Sequence, residues 1–206
     1  GKSGMSTYNF LKQKAEINLF DDNLLNNLRF NKKSLSFSKI LKSDFDFIII
    51  SPGIDSSKCR LSKYLKQNSS KVYTDLDVFY SFFGNDSVTI TGTNGKSTTA
   101  KLLYDVLRDQ KKDARLVGNI GNPILSEKKI IKTTFFVIEA SSYQLEYSKI
   151  FKSKYSAILN ITPDHIERHK NFKNYIEAKF RLLDSQTTQS VACLLYTSDA
   201  ADETGR

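Results

Sequence analysis

A short loop at residues 92–98 has the residue types of a phosphate-binding site. In order, it contains Gly92, Thr93, Asn94, Gly95, Lys96, Ser97 and Thr98. The common phosphate loop has four residues between its glycines, whereas only two separate them here. An apolar strand should lead into the loop and a helix should leave it, so that backbone N–H groups at the helix start can bind phosphate. Lys96 could then reach the outer phosphates and Ser97 could ligate Mg²⁺. The alternative is an ordinary Gly/Asn turn capped by Ser97.

Two further polar groups stand at the ends of apolar runs. Glu139 ends "FFVIE" (135–139), and Asp164 and His165 follow "YSAILNI" (155–161). Ligands of open α/β sheets bind beyond the carboxyl ends of the strands, so these groups should meet Lys96 at one edge. A buried carboxylate also needs a partner or a metal. Singly, Glu139 is equally explained as an edge residue and His165 as a turn residue; together with the loop they indicate a Mg²⁺–nucleotide site.

Lys179 lies on the apolar side of a predicted helix, "NFKNYIEAKFRLL" (171–183). Phe172, Ile176 and Leu183 share its face at helical spacing. Such a lysine either extends its amine to water or serves chemistry, and the periodicity leaves both explanations open. Burial lowers a lysine pKa, and a neutral amine can capture CO₂ to give a carbamate, which is an anionic metal ligand.

The elements that must position these groups alternate between strands and helices. The predicted strands are 16–20, 45–50, 71–74, 87–91, 114–118, 135–140 and 155–161, and the clearest predicted helix is 97–110. Near-continuous apolar strands are typical of parallel sheets covered on both faces. We therefore predict an α/β protein with a Rossmann-like N-terminal domain at 1–84 and a phosphate-loop ATPase domain with a mainly parallel sheet at 85–190.

Composition excludes several classes of protein. The 206 residues are 39% hydrophobic and carry a net charge of +9. No apolar run approaches the roughly 18 residues that span a bilayer, so we expect no membrane insertion. The lysines are scattered rather than gathered in a basic block, which disfavours nucleic-acid binding and favours a field that attracts an anionic substrate. Cys59 and Cys193 are far apart, and we predict free thiols.

The two ends of the chain suggest different origins. Residues 1–6 resemble a glycine turn whose preceding strand is missing, and Asp21 stands about 20 residues on, as an acid does in nucleotide-binding βαβ units. A plain loop is the alternative. Residues 191–206 depart in composition from the lysine- and asparagine-rich body. We expect a non-native extension there, or else a disordered tail.

Taken together, these segments resemble the Mur ligases, the ATP-dependent amide-bond ligases of peptidoglycan synthesis. The segments are "SPGI" (51–54), "TGTNGKST" (91–98), "GNIGNP" (118–123), "IEASSYQLE" (138–146), "LNITPDHIERH" (159–169) and "NYIEAKFRLL" (174–183). The family's ATP loop has the shorter glycine spacing, so the loop is a distinct type. The resemblance is to the D-glutamate-adding branch and implies a fragment that lacks the first strand, the end of the central domain and a C-terminal amino-acid-binding domain.

The resemblance implies a reaction in which ATP phosphorylates UDP-N-acetylmuramoyl-L-alanine and the amine of D-glutamate attacks the acyl phosphate. Lys96, His165 and Lys179 would be catalytic. Ser97 and Glu139 would hold one Mg²⁺, and His165 with carbamylated Lys179 would hold a second. The residues implied to bind the UDP-linked substrate are Gly1, Ser3, Gly4, Ser6, Asp21, Ser51, Gly53, Asn119, Ser141 and Gln144.

Two alternatives keep the scaffold. A sister Mur ligase or a folylpolyglutamate synthase would act on another substrate, and residues 1–206 alone would be a nucleotide-binding module without turnover. On the main interpretation we expect a cytoplasmic monomer.

Overall fold

The computed structural model describes residues 1–21, 33–184 and 186–194, and it has the predicted α/β organisation with parallel sheets. In chain order the elements are α1 (Lys2–Leu11), α2 (Phe37–Lys42), β1 (Ile48–Ile49), α3 (Ser62–Gln67), β2 (Val72–Tyr73), α4 (Asp75–Phe82), β3 (Ser87–Thr91), α5 (Lys96–Asp109), β4 (Ala114–Gly118), β5 (Phe135–Glu139), α6 (Ser142–Leu145), β6 (Tyr155–Ile158), α7 (Ile166–His169), α8 (Phe172–Asp184) and β7 (Val191–Leu194). Short 3₁₀ turns lie at Ser69–Lys71 and Ile124–Ser126. No helix among these described residues is long and apolar enough to cross a membrane.

The larger sheet has five parallel strands in the order β4-β5-β3-β6-β7. Its central strand β3, SVTIT, alternates hydroxyl-bearing and aliphatic residues, yet it is buried at every position, as expected for a parallel strand covered on both faces. Ile90 of β3 pairs with Glu139 of β5 on one side and with Ala157 of β6 on the other. The carboxyl ends of β3, β5 and β6 therefore lie side by side, which is the arrangement expected for the site.

The main hydrophobic core crosses the boundary predicted at residue 84. Leu76 and Phe79 of α4 are buried together with Phe136 of β5 and Leu145 of α6. The rings of Phe79 and Phe136 pack edge to face with centroids 4.8 Å apart. Helix α4 therefore packs as part of the larger sheet's core, although it precedes the predicted boundary.

The N-terminal part has less regular structure than predicted. Its sheet is a two-residue parallel pair, β1 with β2, over a small core of Ile50, Leu65 and Val72. The predicted strand 16–20 is wrong, because Leu19 forms only an isolated bridge with Ser34. The apolar pattern is present there, but the described residues offer it no extended neighbouring strand.

The glycine turn predicted at residues 1–6 is also wrong, because α1 begins at Lys2. Ser6 and Thr7 donate their hydroxyl hydrogens to the carbonyl oxygen of Ser3, which satisfies them within the helix. A Cβ atom on Gly4 would lie 2.9 Å from Ser51 Oγ. This glycine therefore permits a close approach between α1 and the loop at Ser51 rather than a turn.

The sheet extends beyond the boundary predicted at residue 190. Strand β7, Val191–Leu194, pairs in parallel with β6, so the alternative of a disordered tail is wrong for these four residues, whereas a non-native extension stays a prediction. Val191 and Leu194 are more than half exposed, and an edge strand of this kind shows little compositional signal. The rest of the predicted tail, 195–206, lies outside the described residues. Cys59 and Cys193 are free.

Candidate active site

The loop 92–98 has the backbone geometry of a glycine-dependent turn. Gly92 and Gly95 have φ angles of 149° and 80°, which side chains disfavour, and Gly95 forms the N-cap of α5. The backbone N–H of Thr93 donates to the carbonyl oxygen of Asn160, and that of Asn94 donates to Asn160 Oδ1. The loop is thus held against the segment that follows β6, with the start of a 14-residue helix behind it.

Two lysines converge on this loop. Lys96 Nζ donates to the carbonyl oxygen of Thr93 at 2.7 Å, and Lys179 Nζ donates to that of Gly92 at 2.7 Å. Lys179 is only 1% exposed, so its amine does not extend to water and that explanation is wrong. Burial, followed by the nearby charge of Lys96, lowers the pKa of Lys179 to about 8.

Glu139, at the end of β5, lies between Ser97 of the loop and Asn119, which follows β4. The residue is fully buried, its Oε2 accepts from Ser97 Oγ at 2.8 Å, and its Oε1 accepts from Asn119 Nδ2 at 2.9 Å. It is therefore not an exposed edge residue. Its two hydrogen-bond donors are neutral, so the arrangement favours an added cation.

This pair of oxygens fits Mg²⁺ chemically. A hydroxyl and a carboxylate oxygen are hard donors, which Mg²⁺ prefers, and Mg²⁺ usually completes its shell with water and substrate phosphate. Within the described ranges, no group of three or more His, Cys, Asp or Glu residues is arranged to hold a metal by itself. A metal at Ser97 and Glu139 would therefore depend on further oxygen ligands, such as those of a bound nucleotide.

His165 lies at the same edge, immediately before α7 and next to Tyr175 of α8. It precedes α7 with a left-handed φ of 51°, and its ring centroid is 5.0 Å from that of Tyr143 and 6.4 Å from that of Tyr175. Tyr175 OH hydrogen-bonds with Thr93 Oγ1 at 3.0 Å. The loop, His165 and Lys179 are thus linked through Tyr175, whose ring lies 4.6 Å from Lys179 Nζ.

Sequence reasoning missed Tyr175 and His169. Tyr175 lies four residues before Lys179, a spacing that places both on one helix face, and this was a usable signal. His169 is buried, hydrogen-bonds through Nε2 with Ser142 Oγ at 3.0 Å, and has its pKa lowered chiefly by burial. Nothing in the sequence marks this contact in advance.

An open cleft of about 1950 Å³ lies between the N-terminal part and this edge of the larger sheet. Most of the predicted substrate residues line it: Gly1, Ser3, Gly4, Asp21, Ser51, Gly53, Asn119 and Gln144. Ser6 does not, because it is buried within α1. Ser141 does not line it either; its hydroxyl and backbone form a capping box with Gln144 at the start of α6. Asn119 thus lines the cleft and also holds Glu139, so one carboxylate connects the cleft to the loop.

We denote as the rim the groups that follow or end β3, β5 and β6, together with Lys179 of α8: Lys96, Ser97, Glu139, His165 and Lys179. The structure brings Lys96, Ser97, Glu139 and Lys179 together by direct contact with the loop or with one another. His165 joins them through Tyr175.

Known proteins share both sequence and fold with this chain. A profile of the Mur ligase middle domain matches residues 90–204. A UDP-N-acetylmuramoylalanine–D-glutamate ligase from Rickettsia bellii is 35% identical over 98% of this chain and 46% of its own length. The enzyme of the same name from Lachnoclostridium phytofermentans is 35% identical over 95% of this chain and 46% of its own length. The chain thus spans about half the length of the curated relatives it matches.

Solved structures agree at the level of the fold. The UDP-N-acetylmuramate:L-alanyl-gamma-D-glutamyl-meso-diaminopimelate ligase from Neisseria meningitidis superposes with a TM-score of 0.58 at 11% identity, covering 98% of this chain and 70% of its own. A MurF ligase from Thermotoga maritima, solved in complex with ADP, gives 0.51 at 15% identity, covering 93% of this chain and 46% of its own.

Proposed function

Because the chain belongs to the Mur ligase family, we propose that it supplies the ATP loop and the UDP-substrate cleft of a ligase that adds D-glutamate to UDP-N-acetylmuramoyl-L-alanine. The observation that carries this proposal is the position of Glu139. One carboxylate oxygen accepts from Ser97 of the loop and the other accepts from Asn119 of the cleft. A nucleotide phosphate and a substrate acid bound at these two places would be close neighbours.

The proposed chemistry joins two anions and must therefore screen their charge. A carboxylate oxygen of UDP-N-acetylmuramoyl-L-alanine attacks the γ-phosphorus of ATP, and the bond from that phosphorus to the β–γ bridging oxygen breaks, releasing ADP. The amine of D-glutamate then attacks the acyl phosphate carbon, and phosphate leaves from the tetrahedral intermediate. Lys96 would turn from the Thr93 carbonyl to the outer phosphates and stabilise the charge that develops there.

The rim residues would also hold Mg²⁺. Ser97 and Glu139 would ligate one ion, and His165 with a carbamate on Lys179 would ligate a second. Bound Mg²⁺ supplies charge neutralisation and alignment of the transferred phosphoryl group. Carbamate formation requires the neutral amine, and a Lys179 pKa of about 8 makes that form accessible near neutral pH.

The cleft would take the UDP-linked substrate. Residues 1–84 would supply most of its wall and residues 85–190 the ATP site. Gly1, Ser3 and Gly4 lie at the start of α1, where a diphosphate would be stabilised. Asp21 would contact the uridine, and Ser51 with Gly53 would cover the nucleotide. Asn119 and Gln144 would contact the muramoyl-alanine, with Ser141 acting by orienting Gln144, whereas buried Ser6 would support α1.

The test is a ligase assay on the protein expressed from its complete reading frame. UDP-N-acetylmuramoyl-L-alanine, ATP and Mg²⁺ are supplied with one amino acid at a time, and phosphate release and product mass are measured. We expect product with D-glutamate and none in Lys96→Ala. Product with another amino acid but not with D-glutamate would indicate a sister ligase, and turnover of a pteroate substrate instead would indicate a folylpolyglutamate synthase.

The same proposal covers location and partners. We place the reaction in the cytoplasm, where UDP-linked precursors and ATP occur together, and we propose a monomer without a nucleic-acid partner. Gel filtration with light scattering tests whether the protein is a monomer, and salt-dependent DNA retention tests whether it binds nucleic acid.

A further inference from the structure

Three hydrogen bonds join the loop 51–58 to the segment that carries α6 and α7; we call this contact the seam. Arg168 Nη2 donates to the carbonyl oxygen of Ile54 at 2.8 Å. Ser56 Oγ donates to Tyr147 OH at 2.7 Å, and Lys58 Nζ donates to the carbonyl oxygen of Glu167 at 2.9 Å. The loop also contains Ser51 and Gly53, which line the cleft, so the seam adjoins the proposed substrate site.

Arg168 is the most enclosed charged group of the seam. Only 9% of its side chain is exposed, and its Nε and Nη2 both donate to Glu146 Oε2, at 3.2 and 3.0 Å. Its guanidinium carbon lies 5.1 Å from the ring centroid of Tyr143 and 5.9 Å from that of Tyr147. The planar, multiply donating guanidinium can satisfy these partners together, which a lysine ammonium cannot do with the same geometry.

Arg168 is also close to the rim. Helix α7 has four residues, and His165 is its N-cap, three residues before Arg168. The Tyr143 ring lies beside both side chains, with its centroid 5.0 Å from that of His165. A displacement of Arg168 would therefore be transmitted to His165 through one turn of helix and through one shared aromatic neighbour.

We propose that Arg168 is a positioning residue that couples the substrate loop 51–58 to His165, so that binding of the UDP-linked substrate fixes α7 at the rim. The proposal rests on the function proposed above. The competing explanation is that Arg168 merely ties two parts of the fold together. The two differ in one respect: coupling requires that α7 respond to a ligand bound at the loop.

Hydrogen exchange measured by mass spectrometry separates these explanations. The protein from the complete reading frame is studied with and without UDP-N-acetylmuramoyl-L-alanine, in the absence of ATP. In the wild type, we expect the substrate to slow exchange in 51–58 and also in 165–170. In Arg168→Ala, we expect slowing in 51–58 alone.

Kinetics provide the second readout. We expect Arg168→Ala to lower kcat/KM for the UDP-linked substrate by about 10- to 100-fold, because small displacements of catalytic groups cost this much. The KM for ATP should change less than about threefold, since the loop 92–98 does not contact Arg168, and millimolar ethylguanidinium should restore part of the lost rate. Arg168→Lys keeps a charge near Glu146 but loses the fork, so it should also lose the protection of 165–170; this variant tests the proposal if the alanine variant fails to fold.

Arg115 is the matched control, because it is also an arginine paired with carboxylates, namely those of Asp113 and Glu127, but it lies on β4 away from the seam. Arg115→Ala should keep substrate-dependent protection of 165–170. Protection that persists in both Arg168 variants, or is lost equally in Arg115→Ala, would overturn the proposal. Wild-type protein that binds the substrate but forms no product with D-glutamate would count against the proposed function and leave the coupling test intact.

Discussion

The rim and the cleft use their buried charged groups for different purposes. At the rim, Glu139 and Lys179 are almost completely buried and each is held by a specific hydrogen bond. The cleft is lined mainly by small and apolar residues from both parts of the chain, and its charged lining residues include the buried acids Asp75 and Asp77 on α4. The rim therefore has its charged groups in place before any ligand binds, whereas the cleft depends on how the two parts are held together.

A buried aspartate on α4 does much of that holding. Asp77 Oδ1 accepts from Ser148 Oγ and from the backbone N–H groups of Lys149, Ile150 and Phe151. Its Oδ2 accepts from the backbone N–H of Thr74. One carboxylate thus fixes the segment after α6 to α4, which lines the cleft.

Removing Lys179 should have the largest effect and tests the rim side of the comparison. We expect Lys179→Ala to reduce ligase activity by about 10³-fold, a loss typical of removing one preorganised charge-stabilising group. Added short carboxylates should restore part of the activity by replacing the carbamate. Steady-state rates with and without formate or acetate provide the measurement. Lys173→Ala, an exposed lysine on the same helix, is the control, and wild-type activity in Lys179→Ala would return this residue to a structural role.

Removing Asp77 tests the cleft side. Asp77→Ala leaves four backbone N–H groups, those of Thr74, Lys149, Ile150 and Phe151, without their acceptor, so we expect the free energy of unfolding to fall by more than about 3 kcal/mol. Urea denaturation followed by circular dichroism measures this change. Asp86→Ala, which removes an exposed partner of Lys154, should have a much smaller effect. Equal effects of the two substitutions would contradict the structural role of Asp77.

Asp75 sharpens the comparison, because it is a buried acid on the cleft side. Burial raises its pKa from 3.8 to about 6, and the residue is 3% exposed. Between these two values the native state binds more protons than the unfolded state, so this residue's contribution to stability is complete below pH 3.8 and is lost as the pH rises through 6.

In the wild type, this titration should lower the free energy of unfolding by about 2–3 kcal/mol between pH 4 and pH 7. We expect Asp75→Asn to lack this pH-dependent decrease. Denaturant melts of both proteins at several pH values provide the measurement. Parallel pH profiles for the wild type and Asp75→Asn would show that the carboxyl of Asp75 does not titrate in this range.

The sequence alone predicts the rim better than the rest. Strands β3 and β4 begin and end where their apolar runs predict, at 87–91 and 114–118, because both lie in a sheet covered by helices. Parallel strands deliver their carboxyl ends to one edge, so the positions of Ser97 and Glu139 followed from topology.

Other features depend on partners distant in the chain. The apolar run 16–20 has the pattern of a strand, but strand formation also requires a neighbouring strand, which the described residues do not provide. The contacts of Arg168 with Ile54 and of Asp77 with 149–151 span 114 and 72 to 74 residues. No local pattern encodes such pairings, so the seam and the attachment of α4 became visible only in the structure.

Mg²⁺-dependent ATP binding by the wild type and Glu139→Gln tests the central claim most directly. We expect Mg²⁺ to strengthen ATP binding to the wild type. In Glu139→Gln, the gain in ATP affinity on adding Mg²⁺ should be at least about tenfold smaller, because the substitution removes a metal ligand. The affinity of this variant for ATP without Mg²⁺ should equal that of the wild type. Isothermal titration with and without Mg²⁺ gives the four affinities. An equal Mg²⁺ increment in both proteins would contradict a metal–nucleotide site at Glu139.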